Sequence, residues 1–180
     1  MATSRAVEIE IKAHVRNPGQ VSDYLQSNAK FVRKYYKKDM YFRRSSDDTI
    51  DSLVRIRQDR GGHIFTVKQR AMLNGVEVND EREMKVHKKD ARKYLTMLTT
   101  LLGYEPYVTK IKKGRAYRYQ NTLIELSEVK GLGWFVEIEI IADEKPDDST
   151  ILKLRAILGE LGIPETDIET RPYTALLREH

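Results

Sequence analysis

The chain contains a short segment near its N-terminus in which charged and apolar residues alternate strictly, Val7-Glu8-Ile9-Glu10-Ile11-Lys12. Successive side chains of a β-strand point to opposite faces, so this pattern predicts a strand with Glu8, Glu10 and Lys12 on one face. The other face is apolar and requires burial. Two interpretations are open at this point. The charged face is either the solvated side of an ordinary antiparallel sheet or a site where carboxylates bind metal and basic groups bind phosphate.

The same alternation recurs in later segments of the chain. Its charged members are Arg55 and Arg57, Lys68, Glu81 and Glu83, Lys113 and Arg115, Glu125, and Glu137 and Glu139. If all these faces converge, the sheet closes with charge inside, and helices cover its apolar exterior. Charges inside such a barrel need partners or bound ions, because an unpaired buried charge is costly. The alternative is a β-sandwich or meander with one solvated face, on which opposite charges pair across strands.

Length and composition limit the class of protein. The 180 residues suffice for one domain with its own core, and we expect a single domain over 1–180. A formal net charge of +5 suits an anionic ligand. The absence of cysteine excludes disulfides, thiolate catalysis and zinc–thiolate sites. No apolar run approaches the roughly 18 residues of a membrane-spanning helix, and the N-terminus lacks a secretory signal pattern, so we expect a cytoplasmic protein.

Residue periodicity predicts about eight strands and three or four helices. We expect one strand at 39–44 and two separate strands at 108–112 and 115–119. The clearest helix covers 89–102, where apolar residues recur at helical spacing. Ser149 is expected to be the N-cap of a later helix. This order of elements suits an antiparallel sheet.

Taken together, the motifs resemble those of the CYTH superfamily, also called triphosphate tunnel metalloenzymes. The family's Glu-x-Glu-x-Lys motif corresponds to Glu8–Lys12, its Arg-x-Arg strand to Arg55-Ile56-Arg57, its strand lysine to Lys68, its Lys-x-Arg to Lys113-Gly114-Arg115, and its Leu-Gly-x-Phe-x-Glu-x-Glu signature to Leu132–Glu139. The motifs occur in family order over about residues 7–140 and look closest to the class IV adenylate cyclase-like branch. The resemblance implies an α+β fold, a closed antiparallel β-barrel of about eight strands that forms a charged tunnel, with helices packed on the outside.

The resemblance also implies roles for individual residues. The expected catalytic residues are Lys12, Glu10 and Glu139. The triphosphate is expected to be held by Lys12, Arg55, Arg57, Lys68, Lys113 and Arg115. The Mg²⁺ or Mn²⁺ ion is expected to be held by Glu8, Glu10, Glu137 and Glu139. Glu81, Glu83 and Glu125 are candidates for additional acidic groups in the tunnel. One position departs from the family pattern. Where similar proteins carry Leu-Asp-x-Val, this chain has Leu126-Ser127-Glu128-Val129, so the expected aspartate is a serine.

The function implied is divalent-metal-dependent hydrolysis of the terminal phosphate of inorganic triphosphate or of a nucleoside or organic triphosphate. The first alternative is a class IV adenylate cyclase, which converts ATP to cAMP and pyrophosphate. The second alternative is a non-catalytic polyphosphate-binding module. The expected partner is a small molecule that bears a triphosphate, such as tripolyphosphate or ATP, bound by a monomer or homodimer. Basic and aromatic residues are mixed at 33–44, but a solvated strand is the preferred interpretation, and nucleic acid is not an expected partner.

Overall fold

Eight strands form one closed antiparallel barrel in the computed structural model, which describes residues 7–44, 52–59, 62–142 and 147–179. The strands are β1 (Val7–His14), β2 (Lys30–Arg44), β3 (Ser52–Asp59), β4 (Gly62–Leu73), β5 (Val76–Val86), β6 (Tyr104–Tyr119), β7 (Thr122–Val129) and β8 (Gly133–Ala142). Around the barrel they follow the order β1-β5-β4-β3-β2-β6-β7-β8. The closed barrel predicted from the family motifs is therefore confirmed, and the open sandwich is wrong.

The first strand closes the barrel, because it pairs on both of its edges. Glu8 lies opposite Asn79 of β5 on one side and opposite Ile141 of β8 on the other. On the far side of the barrel, β2 and β6 pair along nearly their full lengths, from Lys30 opposite Arg118 to Arg44 opposite Tyr104. Such closure leaves no free strand edge and sends alternate side chains into the interior.

Most of the hydrophobic core lies outside the barrel. The helices are α1 (Pro18–Asn28), α2 (Ala91–Thr96), α3 (Asp148–Glu160) and α4 (Tyr173–Leu176). Ile9, Ile11 and Ile138 on the outer face of the sheet form one buried cluster with Leu154 and Leu158 of α3. Full burial of one such side chain contributes about 1.5–3 kcal/mol. The outer face therefore supplies hydrophobic stability, and the interior is left to charged groups.

Two smaller apolar clusters complete the packing. Helix α2 continues into a π-helical turn, Met97–Leu101, which buries Leu98 against Phe42 on the outer face. The C-terminal helix α4 lies at one end of the barrel, where Tyr173 packs with the inward-facing Phe135 of β8. A short 3₁₀ segment, Glu165–Asp167, leads into that region. The C-terminal part of the chain is thus positioned to close one end of the interior.

Four local predictions need correction. The strand predicted at 39–44 begins at Lys30, and the two strands predicted at 108–112 and 115–119 are one continuous strand, β6. Gly114 lies within that strand, opposite Ser127. A Cβ atom at this position would clash with the carbonyl oxygen of Leu126, so the close approach of β6 and β7 requires glycine here. The helix predicted at 89–102 has regular α-helix only over Ala91–Thr96 and finishes as the π-helical turn.

The fourth correction concerns the start of α3. Asp147 is its N-cap, since the Asp147 carboxylate accepts a hydrogen bond from the Thr150 backbone N–H at 2.8 Å. The Ser149 hydroxyl instead donates to Asp147. A carboxylate and a hydroxyl are both good N-caps, so the residue that precedes the first helical turn decides the position.

Candidate active site

The inner faces of the strands enclose a cavity of about 980 Å³, a volume that includes space open to solvent. Its basic lining residues are Lys12, Lys37, Arg55, Arg57, Lys68, Arg70, Lys110 and Lys112, and its acidic lining residues are Glu8, Glu10, Glu77, Glu81, Glu125, Glu137 and Glu139. Tyr41 and the C-terminal residues Pro172, Tyr173 and Thr174 also line it. Because eight basic and seven acidic groups of the described residues share one cavity, the ion pairs within it decide which charges are available to a ligand.

Three of the acidic residues form a cluster without a basic partner. Glu8 and Glu10 lie on β1, and Glu10 is directly opposite Glu139 of β8. Within the described part of the chain, none of the three carboxylates makes an ion pair or a side-chain hydrogen bond. Burial, followed by the charges of Glu10 and Glu139, raises the pKa of Glu8 to about 9. Burial and the charge of Glu10 likewise raise the pKa of Glu139 to about 7. The raised pKa values show that the three carboxylates repel one another when ionised, so this cluster is a candidate site for a cation.

The chemistry of the cluster fits a hard divalent ion. Carboxylate oxygens are the ligands that Mg²⁺ and Mn²⁺ prefer, and Mg²⁺ commonly uses one or two carboxylates and keeps several water molecules. No three acidic or histidine side chains among the described residues already converge on a single metal position. Glu10 and Glu139, with Glu8 beside them, are nevertheless sufficient in number and kind to hold such an ion.

Lys12 lies next to this cluster on the same face of β1. Its side chain is only 2% exposed, and its ammonium lies 3.3 Å from the Glu77 carboxylate. It also donates a 2.6 Å hydrogen bond to the Arg171 carbonyl and lies over the Tyr173 ring. Burial lowers the pKa of Lys12, although the Glu77 charge opposes that effect. Arg70 of β4 shares the Glu77 carboxylate at 3.0 Å.

The arginines of β3 extend the basic wall. The Arg55 guanidinium donates to Glu81 at 3.2 Å and to Glu83 at 3.1 Å. The Glu81 carboxylate also lies 3.1 Å from the Lys68 ammonium. Arg57 is held by the buried Asp39 through hydrogen bonds of 2.7 and 3.0 Å. Glu81 lines the cavity, whereas Glu83 contacts Arg55 without belonging to the lining.

A second group of ion pairs occupies the side of the cavity formed by β2, β6 and β7. The Glu125 carboxylate lies 2.8 Å from Lys37 and 2.9 Å from Lys112, and Lys112 also contacts Glu137. Burial by itself raises the pKa of Glu125, but Lys112 and Lys37 outweigh burial and hold that pKa well below its usual value. Glu125 therefore remains ionised and neutralised by lysines, unlike the cluster around Glu10.

Comparison with known proteins agrees with this geometry. The family model of the CYTH domain matches residues 6–173. The chain belongs to the CYTH domain family. A protein from Methanocaldococcus jannaschii, provisionally named an adenylate cyclase, is 27% identical over 176 residues, which cover 94% of this chain and 98% of that relative.

Solved structures share the CYTH barrel over nearly its whole length. A conserved hypothetical protein from Pyrococcus furiosus superposes with a TM-score of 0.80 at 28% identity, covering 94% of this chain and 99% of that one. A protein from Pyrococcus horikoshii OT3 has the same TM-score at 27% identity, covering 96% and 98%. Among the described residues of this CYTH protein, none of the helices has the length and apolar character needed to cross a membrane.

Two predicted phosphate ligands do not reach the CYTH cavity. Lys113 pairs with Glu128 at 2.8 Å, with 65% of its side chain exposed, and Arg115 is not among the cavity-lining residues. The reason is side-chain alternation along the continuous strand β6, in which Lys110 and Lys112 face inward, so that Lys113 and Arg115 face outward. The other predicted basic ligands, Lys12, Arg55, Arg57 and Lys68, do line the cavity.

Several cavity residues were not identified from the sequence. They are Lys37, Tyr41, Arg70, Glu77, Lys110 and Lys112, together with Asp39, which contacts the lining residues Arg57 and Lys110 without lining the cavity itself. Counting in steps of two from the predicted residues would have found some of them, because Arg70 follows Lys68 on β4 and Glu77 precedes Glu81 on β5. The others lie in β2 and β6, where the predicted strands were too short or out of phase.

Ser127 occupies the position where similar proteins carry aspartate. It is fully buried, and its hydroxyl has no hydrogen-bond partner among the described residues. Ser127 does not line the cavity, whereas Glu125, two residues earlier on β7, does. The acidic group that the CYTH cavity has on this strand is thus Glu125, and two lysines already neutralise it.

Proposed function

We propose that this CYTH protein hydrolyses the terminal phosphate of a triphosphate substrate, with Mg²⁺ or Mn²⁺ as cofactor. CYTH proteins bind triphosphate substrates and generally depend on divalent metal ions. The observation that carries the proposal is the juxtaposition of two kinds of groups in one cavity. Glu8, Glu10 and Glu139 form no ion pair with the described residues, and lysines and arginines line the same cavity. A polyanion bound with a divalent cation would satisfy both groups at once.

Each group has a separate task in phosphoryl transfer, which depends on positioning and charge neutralisation more than on covalent catalysis. Arg55 and Arg57 supply forked N–H donors for phosphate oxygens, and Lys68 supplies a point charge. Lys12, buried beside Glu10, is the basic group nearest the proposed metal ligands along β1. Glu10 and Glu139 would hold the metal, which supplies charge neutralisation and lowers the pKa of a bound water.

The existing ion pairs give these side chains their resting positions. Lys12 and Arg70 share Glu77, and Lys68 and Arg55 share Glu81. Phosphate oxygens can replace these cavity-lining carboxylates as acceptors, because charge-assisted bonds to phosphate are of similar strength. Glu137, which contacts Lys112, would be available as an additional metal ligand if Lys112 paired with a phosphate oxygen instead. Substrate and metal binding are therefore expected to be mutually dependent.

Adenylate cyclase is the second candidate, because the Methanocaldococcus jannaschii relative carries that provisional name. Cyclisation uses the same metal and triphosphate groups. It also requires the ribose 3′-hydroxyl of ATP to reach the α-phosphorus, which needs contacts to the base and the sugar. Hydrolysis needs only the charged cavity and a water molecule, so it is the function that the geometry supports better.

Incubation with tripolyphosphate or ATP tests both candidates. Purified protein is supplied with Mg²⁺, Mn²⁺ or EDTA, and orthophosphate, pyrophosphate and cAMP are measured. We expect metal-dependent release of orthophosphate without cAMP. Formation of cAMP and pyrophosphate from ATP would identify the protein as an adenylate cyclase instead of a triphosphatase. Tight tripolyphosphate binding without any turnover would instead identify a binding module.

A matched pair of variants links the activity to the carboxylate cluster. Glu10→Gln removes a charge from the cluster with little change in shape, and turnover is expected to fall at least about 100-fold. Glu128→Gln is the control, because it breaks an ion pair with Lys113 on the outer surface. Equal activity of the two variants would exclude Glu10 from the metal site.

A further inference from the structure

Asp39 is an acidic residue that differs from every carboxylate lining the cavity. It lies on β2 with 0% exposure and is not part of the cavity lining. Its Oδ1 atom accepts a 2.7 Å hydrogen bond from Arg57 Nε, and its Oδ2 atom accepts a 3.0 Å bond from Arg57 Nη2. The Lys110 ammonium lies 3.2 Å from the same Oδ2 atom. One carboxylate thus joins strands β2, β3 and β6.

The two partners of Asp39 lie directly opposite it on the neighbouring strands, on the same inner face of the barrel, and they line the cavity whereas the buried Asp39 does not. Arg57 and Lys110 both belong to the lining. The planar guanidinium of Arg57 has five N–H groups in a fixed geometry, and Asp39 engages two of them from behind, which sets the plane of the remaining donors. Burial by itself raises the pKa of Asp39, but Lys110 and Arg57 outweigh burial and keep that pKa well below its usual value. Asp39 is therefore ionised at neutral pH.

Asp39 also differs from the cavity-lining carboxylates in how it would respond to a bound phosphate. Lys12, Lys68 and their neighbours pair with Glu77 and Glu81, carboxylates that line the cavity and that a phosphate can displace. A phosphate in the cavity would not replace Asp39 in the same way, because Asp39 is fully buried and does not line the cavity. Arg57 and Lys110 hence keep their orientation when substrate arrives, while the other basic groups exchange partners.

We infer that Asp39 is a positioning residue that holds Arg57 and Lys110 in the orientation needed for phosphoryl transfer. The inference rests on the proposed function, since it concerns how two basic groups act on a triphosphate. It predicts a particular kinetic signature. Loss of the Asp39 charge makes the cavity more positive, so attraction of a polyanion is not weakened. Loss of orientation, in contrast, reduces stabilisation of the transition state.

The test is steady-state hydrolysis of tripolyphosphate by the wild type, by Asp39→Asn and by the control Glu128→Gln. For Asp39→Asn we expect kcat to fall about 10- to 100-fold, because small misplacements of positioning groups have effects of this size, with KM within about threefold. Glu128→Gln should match the wild type in both parameters. An unchanged kcat in Asp39→Asn, or a raised KM with kcat intact, would overturn the inference. A wild type that releases no phosphate would refute the proposed function itself.

A second variant guards against misfolding, since Asp39→Asn leaves two buried cations without their shared counter-charge. Asp39→Asn combined with Lys110→Gln removes one positive and one negative charge together, so the local charge balance is kept. Relative to Lys110→Gln alone, this double variant should lose a further factor of about ten in kcat, because Arg57 has lost its anchor. Equal kcat values for the two would contradict the inference.

A triple variant tests whether Asp39 acts through these partners. In a background that carries both Arg57→Gln and Lys110→Gln, Asp39→Asn should cause no further loss of kcat, because no oriented group remains. A further loss as large as that seen in the wild-type background would mean that Asp39 acts by another route. Circular dichroism of each variant confirms that the comparison is made between folded proteins.

Discussion

Replacement of Glu139 by glutamine should stabilise this protein at neutral pH while impairing metal binding. Glu139 has no basic partner among the described residues, and burial and the neighbouring Glu10 raise its pKa from 4.5 to about 7. The folded protein thus binds the Glu139 proton more tightly than the unfolded chain does. Its stability contribution is highest below about pH 4.5, where both states are protonated, and it is lost as pH rises to about 7.

The size of the effect follows from the two pKa values. A group whose pKa rises from 4.5 to about 7 on folding lowers the free energy of unfolding by about 3 kcal/mol across that pH range. Glu8, with a pKa raised to about 9, continues the decline at higher pH. The stability contribution of Glu77 depends on pH in the opposite direction, because the pKa of Glu77 is lowered to about 2. That contribution is lost only as pH falls below about 4.5. Glu77 therefore does not obscure the range between pH 5 and 7.

Urea unfolding in EDTA at about pH 5 and pH 7.5 measures the effect. The wild type should be less stable at the higher pH, and Glu139→Gln should exceed it there by about 2–3 kcal/mol, with little difference at pH 5. The measurements stop at pH 7.5 because burial lowers the pKa of Lys112 to about 8. At higher pH the loss of the Lys112 proton would add its own change in stability. Glu128→Gln, on the outer surface, should follow the wild type at both pH values.

Added metal completes the test. The proposed metal site exists only in the folded state, so added Mg²⁺ or Mn²⁺ should raise the stability of the wild type at pH 7.5 by mass action and raise that of Glu139→Gln less. The reasoning would be refuted by a metal-free wild type that is equally stable or more stable at pH 7.5 than at pH 5. It would also be refuted if Glu139→Gln were the less stable protein at pH 7.5.

Three further predictions concern β6 and α3. Lys110→Ala should raise the KM for tripolyphosphate at least about tenfold, because the Lys110 side chain faces the cavity. Lys113→Ala should raise that KM less than about twofold, because the Lys113 side chain faces solvent. Equal increases of the two KM values in steady-state kinetics would contradict this prediction. Gly114→Ala should destabilise the barrel by at least about 2 kcal/mol, since its Cβ would meet the carbonyl of Leu126; an unchanged urea midpoint would rule out this close approach. Asp147→Ala should cost about 1 kcal/mol through loss of the α3 N-cap, and an unchanged melting temperature would argue against that cap.

Alternation along single strands was enough to predict much of the site. Glu8, Glu10 and Lys12 share a face because neighbouring residues on one strand must alternate, and the same short-range rule holds for Arg55 and Arg57. The apolar residues between them, such as Ile9, were correctly expected to face the helices. These predictions depend on the geometry of a strand and on nothing distant in the chain.

The error at β6 shows where that reasoning ends. Two separate strands were predicted on either side of Gly114, but pairing with β2 and β7 continues through this residue. Continuity fixes the phase of the whole strand, so Lys110 and Lys112 face inward while Lys113 faces outward. A local pattern with charged residues at both phases cannot choose between them; the partner strands do.

The sequence by itself determined that strands with one charged face and one apolar face exist in this protein, and its motifs indicated the family. The tertiary structure decided which charges meet. It placed Glu10 opposite Glu139 across β1 and β8 with no ion pair to either carboxylate from the described residues, and it buried Asp39 against Arg57 and Lys110. The physical reason is that electrostatic interactions depend on distance and burial, which are set by the pairing of strands far apart in the chain.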